Sequence, residues 1–194
     1  MTENIYSNQL FEAHINNLNS VSKKTPPESS INILKQFKEL IDRDNFIYYE
    51  PYLVYRMLPT VLNRLNDNPL VNEFILELGV EMFSKLSIQS FPAVTNILFN
   101  QMSVTAKWKM KLGCLKLLNC YIKRLESLDR DLLSSSLTEL VPVLSSLVHD
   151  TRKEVSESAI ETLTLAMKGI TNRDLEPFVP NLVSAIVNPD DIEE

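Results

Sequence analysis

Apolar residues recur three and four apart along most of this chain, the period of a helix with one buried face. The clearest stretch runs from Glu139 to Ala159, ELVPVLSSLVHDTRKEVSESA. Leu140, Val143, Leu144, Leu147 and Val148 form one stripe, with Ser145, Ser146 and His149 between them. Pro142 lies inside that pattern, which predicts a bend unless the regular helix starts there. Asp150 and Thr151 are placed to accept from the free amides of a following helix, and Thr151 and Glu154 have capping-box spacing. That second helix carries Val155, Ala159, Leu163 and Ala166, spaced to lie back on the first.

Weaker copies of this helix–turn–helix unit flank it. Residues 4–22 read as an amphipathic helix with Leu10, Phe11, Ile15 and Leu18 on one side, ended by KKTPPE at 23–28. Ile31, Leu34, Phe37, Leu40 and Ile41 mark a second helix, and DRDNFIYYEP at 42–51 reads as a loop with aromatic anchors. From there prolines align inside each first helix: MLPTVLNRL at 57–65, SFPAVTNIL at 90–98, LVPVLSSLV at 140–148 and FVPNLVSAI at 178–186. Their spacings of 33, 50 and 38 residues bracket the roughly 40–47 of two-helix HEAT or armadillo units. Polar turns with Asp (NDNPLV, HDTRKEV, NPDD) follow three of them, and short polar turns imply antiparallel neighbours. The second helices are expected at 69–86, 104–126 and 151–169. The last first helix, 174–188, has no successor, and Leu182, Val183, Ile186 and Val187 do not make the polar face of a capping repeat. The expectation is therefore the N-terminal piece of a longer protein.

Composition agrees with this picture. The 194 residues are 44% hydrophobic and 23% charged, with three glycines and ten prolines, too few turn formers for a hairpin-rich β protein. The fold class is all-α, an α-solenoid (superhelix) of HEAT/armadillo-type helix pairs. Residues 1–49 are expected to cap the stack and residues 50–194 to form the repeats, the last incomplete. No apolar run approaches the roughly 18–20 residues that cross a bilayer, and MTENIYSNQLF lacks the basic and apolar segments of a leader. A soluble intracellular chain is expected. Cys114 and Cys120 fall six apart on one helix, about 9 Å along its axis, too far for a disulfide.

Catalytic chemistry finds little support. Gly79, Gly113 and Gly169 are isolated, so no phosphate-cradling loop is encoded. His14 and His149 have no His or Cys partner at helical spacing and read as surface or turn residues. Ser134, Ser135 and Ser136 read as helix N-caps and not nucleophiles, and Asp190 with Asp191 as solvated turn residues. One electrostatic feature stands out. Lys109, Lys116 and Lys123 are seven apart and drift only about 20° per step, forming a basic line on one helix, with Lys107, Lys111 and Arg124 nearby. Such a line suits a phosphate-contact surface. It equally suits a solvated flank whose stems cover apolar surface, which the net charge of -6 favours. Trp108, on the side of Leu112, Leu115, Leu118 and Ile122, reads as core before stacking platform.

SVTAKWKMKLGCLKLL, LTELVPVLSSLVHDTRKEVSESA and NRDLEPFVPNLVSAIVNPDDIEE, in that order, resemble the N-terminal HEAT domain of fungal translation elongation factor three, and PYLVYRMLPTVL fits its preceding repeat. The resemblance covers roughly residues 50–194, with residues 1–49 matching as generic helices. It implies the docking part of a cytoplasmic, ribosome-dependent ATPase that helps release deacylated tRNA. The partners implied are the rRNA and proteins of the small subunit, with no membrane and no small-molecule substrate, and the chain is expected to be a monomer. The family's ATP-binding cassettes are not in this sequence, so no cofactor is expected here. Lys107, Lys109, Lys111, Arg152 and Lys153 match basic positions of its motifs; with Lys116 and Lys123 they are the candidate ribosome contacts. The short, asparagine-rich N-terminus and acidic charge depart from the pattern and fit a divergent paralogue. Alternatives are a ribosome-associated kinase activator, an importin-like module or a TOG-like module.

Overall fold

A computed structural model describes residues 2–21, 26–42, 49–170 and 176–189. All regular structure among them is helical, as the apolar period predicts. The chain divides into two compact units, residues 1–97 and 98–194.

In the first unit, α1 (Thr2–Ser20) packs on α2 (Pro27–Ile41), and α2 on α5 (Pro69–Lys85). Ile15 and Leu18 of α1 and Leu34, Phe37, Leu40 and Ile41 of α2 are buried as expected. The side chains of Leu10 and Phe11, the expected break at 23–25 and most of the expected loop, 43–48, lie outside the described residues. The end of that loop is a correction. Glu50 and Pro51 open the short helix α3 (Glu50–Tyr52), and buried Glu50 accepts from the Ser87 amide at 3.0 Å and from the Ser90 hydroxyl. A buried carboxylate needs such donors.

From α3 the chain continues through a π turn, Leu53–Met57, into α4 (Leu58–Leu62) and a 3-10 turn, Asn63–Asn66. Pro59 explains the widening, because it offers no N–H to the carbonyl four residues back and its ring crowds that turn. Leu58 N–H instead reaches the Leu53 carbonyl, and the Thr60 hydroxyl donates to the Arg56 carbonyl at 3.0 Å. Arg64 then ties this run to its neighbours. It donates to the Val21 carbonyl at 2.9 Å and the Ser30 hydroxyl at 3.3 Å, and pairs with Asp67 at 2.8 Å. The Asn68 side chain caps α5 by accepting from the Leu70 amide.

α6 (Phe91–Gln101) spans the division between the units, with Pro92 as its second residue. The second unit then holds α7 (Trp108–Leu128), α8 (Arg130–Val148), α9 (Lys153–Met167) and α10 (Val179–Val187). α9 packs on both α7 and α8, and α10 touches α8 and α9. Val155, Ala159, Leu163 and Ala166 are fully buried, as are Cys114, Leu118 and Ile122 of α7 and Leu140 and Leu144 of α8. Space dictates the glycine that follows α9: a Cβ added at Gly169 would stand 2.7 Å from Leu133 Cγ.

Several boundaries correct the sequence reading. α7 begins at Trp108 and not 104, because Ser103–Lys107 form a turn. α8 begins at Arg130, capped by the Asp129 carboxylate, which accepts from the Leu132 amide at 2.9 Å. Ser134, Ser135 and Ser136 are therefore inside a helix and not caps; the Ser135 and Ser136 hydroxyls donate back to the Leu132 carbonyl. α8 runs on through Pro142, which is exposed, so no helix starts there. The Thr151–Glu154 capping box does not form. The Asp150 carboxylate alone accepts, from the Arg152 amide, and α9 starts at Lys153. Pro180 is the second residue of α10, which follows a 3-10 turn, Glu176–Phe178. The expected start at 174 and the pair Asp190 and Asp191 lie outside the described residues.

α8 also corrects the expectation that no apolar run approaches membrane length. Its 19 residues, with mean hydropathy 1.2 over an 18-residue window, are long and apolar enough to cross a bilayer. Its stripe Leu133, Leu140, Leu144, Leu147 and Val148 is buried within the unit, chiefly against α9, and 28% of that window is buried in all.

Candidate nucleic-acid interface

The candidate cations lie on α7 and the turn before it, on the turn between α8 and α9, and at the first residue of α9. α7 buries Cys114, Leu115, Leu118, Tyr121, Ile122 and Leu125 and sets Lys116 and Lys123 on its exposed flank. Lys109, the head of the same line, is half-buried, with Nζ 5.8 Å from the centroid of the Trp108 ring. Arg152, from the α8–α9 turn, places Cζ 5.6 Å from the same centroid. Both distances are within cation–π range. Trp108 itself is half-buried, so it is neither the closed core residue expected nor a bare aromatic platform. Leu112 is also half-buried.

Lys111 stands apart from the other candidates. It is 9% exposed, and its Nζ donates to Asp150 Oδ2 at 2.8 Å. Both side chains of that pair are 11% exposed, so the charge of Lys111 is matched inside the fold. Asp150 Oδ1 accepts from the Arg152 amide at 2.9 Å. Burial opposes ionisation of Asp150; the hydrogen bonds from Lys111 and the Arg152 amide, with the charges of both residues, outweigh it and hold the carboxyl below its ordinary value. One carboxylate thus joins α7 to the turn that carries Arg152.

The remaining candidates divide by their partners. Lys123 pairs with Glu161 of α9 at 3.5 Å and Lys153 with Glu157 at 3.6 Å, all four well exposed. Exposed pairs of this kind hold little energy and open readily. Lys107 and Lys116 are exposed and have no ion-pair partner among the described residues, and Arg124 is half-buried. The geometry therefore gathers Lys109 and Arg152 on Trp108, with Lys107 adjacent in sequence, while Lys111 is bound to Asp150 beside them and Lys123 pairs with Glu161. Sequence reasoning missed Glu157 and Glu161 as counter-charges.

Other reactive groups are quiet. Cys114 is buried, which pushes its thiol up to about 12, and Cys120 is half-buried; both are free thiols. Among the described residues no group of three His, Cys, Asp or Glu could hold a metal ion. His149 is exposed as expected, whereas His14 is half-buried and meets Phe37 edge-on, ring centroids 5.8 Å apart.

Comparison with known proteins decides the family. Residues 2–163 match the EF3 N-terminal HEAT repeat family. The chain belongs to this family. Among EF3 relatives, elongation factor 3 of Zygosaccharomyces rouxii is 31% identical over 149 residues and that of Phytophthora infestans 32% identical over 146. Elongation factor 3A of Saccharomyces cerevisiae is 27% identical over 145 residues. Each match covers 75% of this chain and 14% of the relative, so the chain spans about one seventh of the length of these EF3 proteins. The match places the described helix pairs in the HEAT class, the all-α solenoid the proline spacing predicts.

Proposed function

We propose that this chain is the non-catalytic, ribosome-docking HEAT region of an EF3-like translation ATPase, acting in the cytoplasm on the rRNA and proteins of the small subunit. Membership of the EF3 N-terminal HEAT family carries this reading. The chemistry of α7 and the turns beside it supports this reading: Lys107, Lys109, Lys116 and Arg152 present cationic groups that no carboxylate neutralises by direct contact among the described residues. In this reading residues 1–49 cap a stack formed by residues 50–194, and nucleotide hydrolysis belongs to cassettes outside this sequence. The chain itself takes no cofactor.

Co-sedimentation with ribosomes and separated subunits across a salt series tests it. Saturable binding to the small subunit that weakens steeply with salt is the expected result, because each phosphate neutralised releases a counterion. Lys109→Glu with Lys116→Glu should weaken pelleting while leaving the helical circular-dichroism signal intact. Binding insensitive to salt would replace this reading with a scaffold for protein partners held by apolar grooves.

A further inference from the structure

We infer that Arg152 and Lys109, held on the face of Trp108, form a phosphate subsite for an RNA backbone. This deepens the docking reading and rests on it for the identity of the RNA. Both cations keep donors free to bind a ligand. Arg152 is exposed, lies 5.6 Å from the Trp108 centroid, and its guanidinium makes no hydrogen bond among the described residues. A guanidinium against an aromatic ring keeps its in-plane N–H donors available, and that planar fork matches two oxygens of a phosphate. Lys109 brings a second cation to the same ring, Nζ 5.8 Å from its centroid.

The backbone that carries the fork is also held in place. Asp150 fixes the Arg152 backbone through its amide and is itself anchored by Lys111. Arg152 therefore loses less freedom on binding than a cation on a free stem, which favours affinity. Lys111 and Asp150 are positioning residues in this scheme and touch no phosphate. Phosphodiester is favoured because the subsite sets two cations, the Arg152 fork and the Lys109 ammonium, at one ring, and paired cations of this kind track a nucleic-acid backbone.

Trp108 is the one tryptophan of the chain, so its emission reports on this subsite directly. The full chain is titrated with a single-stranded RNA of mixed sequence, with poly-glutamate and with purified small subunits, each across a salt series. Expected are a Trp108 emission change with RNA, and for Arg152→Ala with Lys109→Ala a fall of about 1.4 in the magnitude of the log–log salt slope. Arg152→Lys, which keeps charge but not the fork, should bind RNA several-fold more weakly than wild type. Variants folded by circular dichroism that bind RNA as wild type does, or weaken with an unchanged slope, would overturn the subsite. So would an emission response to poly-glutamate equal to that for RNA. Wild-type chain that fails to pellet with small subunits yet shows the RNA response would refute the docking reading and leave the subsite standing. Normal pelleting by the double variant would do the reverse.

Discussion

Asp150 receives the Lys111 ammonium and the Arg152 amide at once, so loss of either donor leaves part of its charge unmatched. Lys111→Met would leave its carboxylate nearly buried with one donor fewer, a loss of about 2–3 kcal/mol measured by urea unfolding. Adding Asp150→Asn should recover much of that. Acid should act through the same group. Its folded pKa lies below the ordinary 3.8, so its stabilisation is complete above that value and is lost as pH falls through the folded one. Unfolding followed from about pH 5 to about pH 2 should show this loss in the wild type and much less in the Lys111→Met chain. Gly169 makes a second residue-scale case. Gly169→Ala should destabilise by roughly 1–3 kcal/mol, read as a lowered melting temperature, because the new Cβ meets Leu133 Cγ at 2.7 Å. The spacing of Asp150 after an apolar run announced a turn acceptor, but nothing local to it announced Lys111, 39 positions earlier.

The prolines show how one residue type acts differently by position in an element. Pro142 lies inside α8, where it withholds an N–H from the carbonyl of Thr138, while Pro92 and Pro180 are second residues of α6 and α10. The first turn of a helix has no use for that N–H. Pro142→Ala should therefore stabilise by about 1–2 kcal/mol, whereas Pro92→Ala and Pro180→Ala should change stability by less than about 1 kcal/mol; thermal unfolding of the three variants checks the contrast. Aligned prolines located the repeats in the sequence because apolar stripes accompany them. They did not fix the helix starts. The Asp129 cap of α8 and the Asp150 turn before α9 compete with plausible signals at Ser134 and Thr151, and only the fit of neighbouring helices selects between them.

At the scale of the molecule, α10 leaves Leu182 44% exposed, and Phe178 just before it is 56% exposed. Replacing both with serine should reduce binding of an apolar dye while changing the unfolding midpoint little, since exposed positions contribute little to stability. The polar partners of the fold have a regularity of their own. Arg56 and Glu12 are 44 apart, Lys85 and Asp42 43, Lys111 and Asp150 39, Lys123 and Glu161 38. These separations approximate the repeat length, so a search at that lag would have paired Asp150 with Lys111 and Glu161 with Lys123, which local pattern reading did not. They also set a rule for insertions and deletions. One residue added within α7 or α9 would turn everything beyond it by about 100° and carry one partner of a pair away from the other. A residue added in the Ser103–Lys107 turn would leave the α7–α9 pairs intact. Length differences between this chain and other members of its family should accordingly gather in the turns and be nearly absent from the helices that carry these pairs.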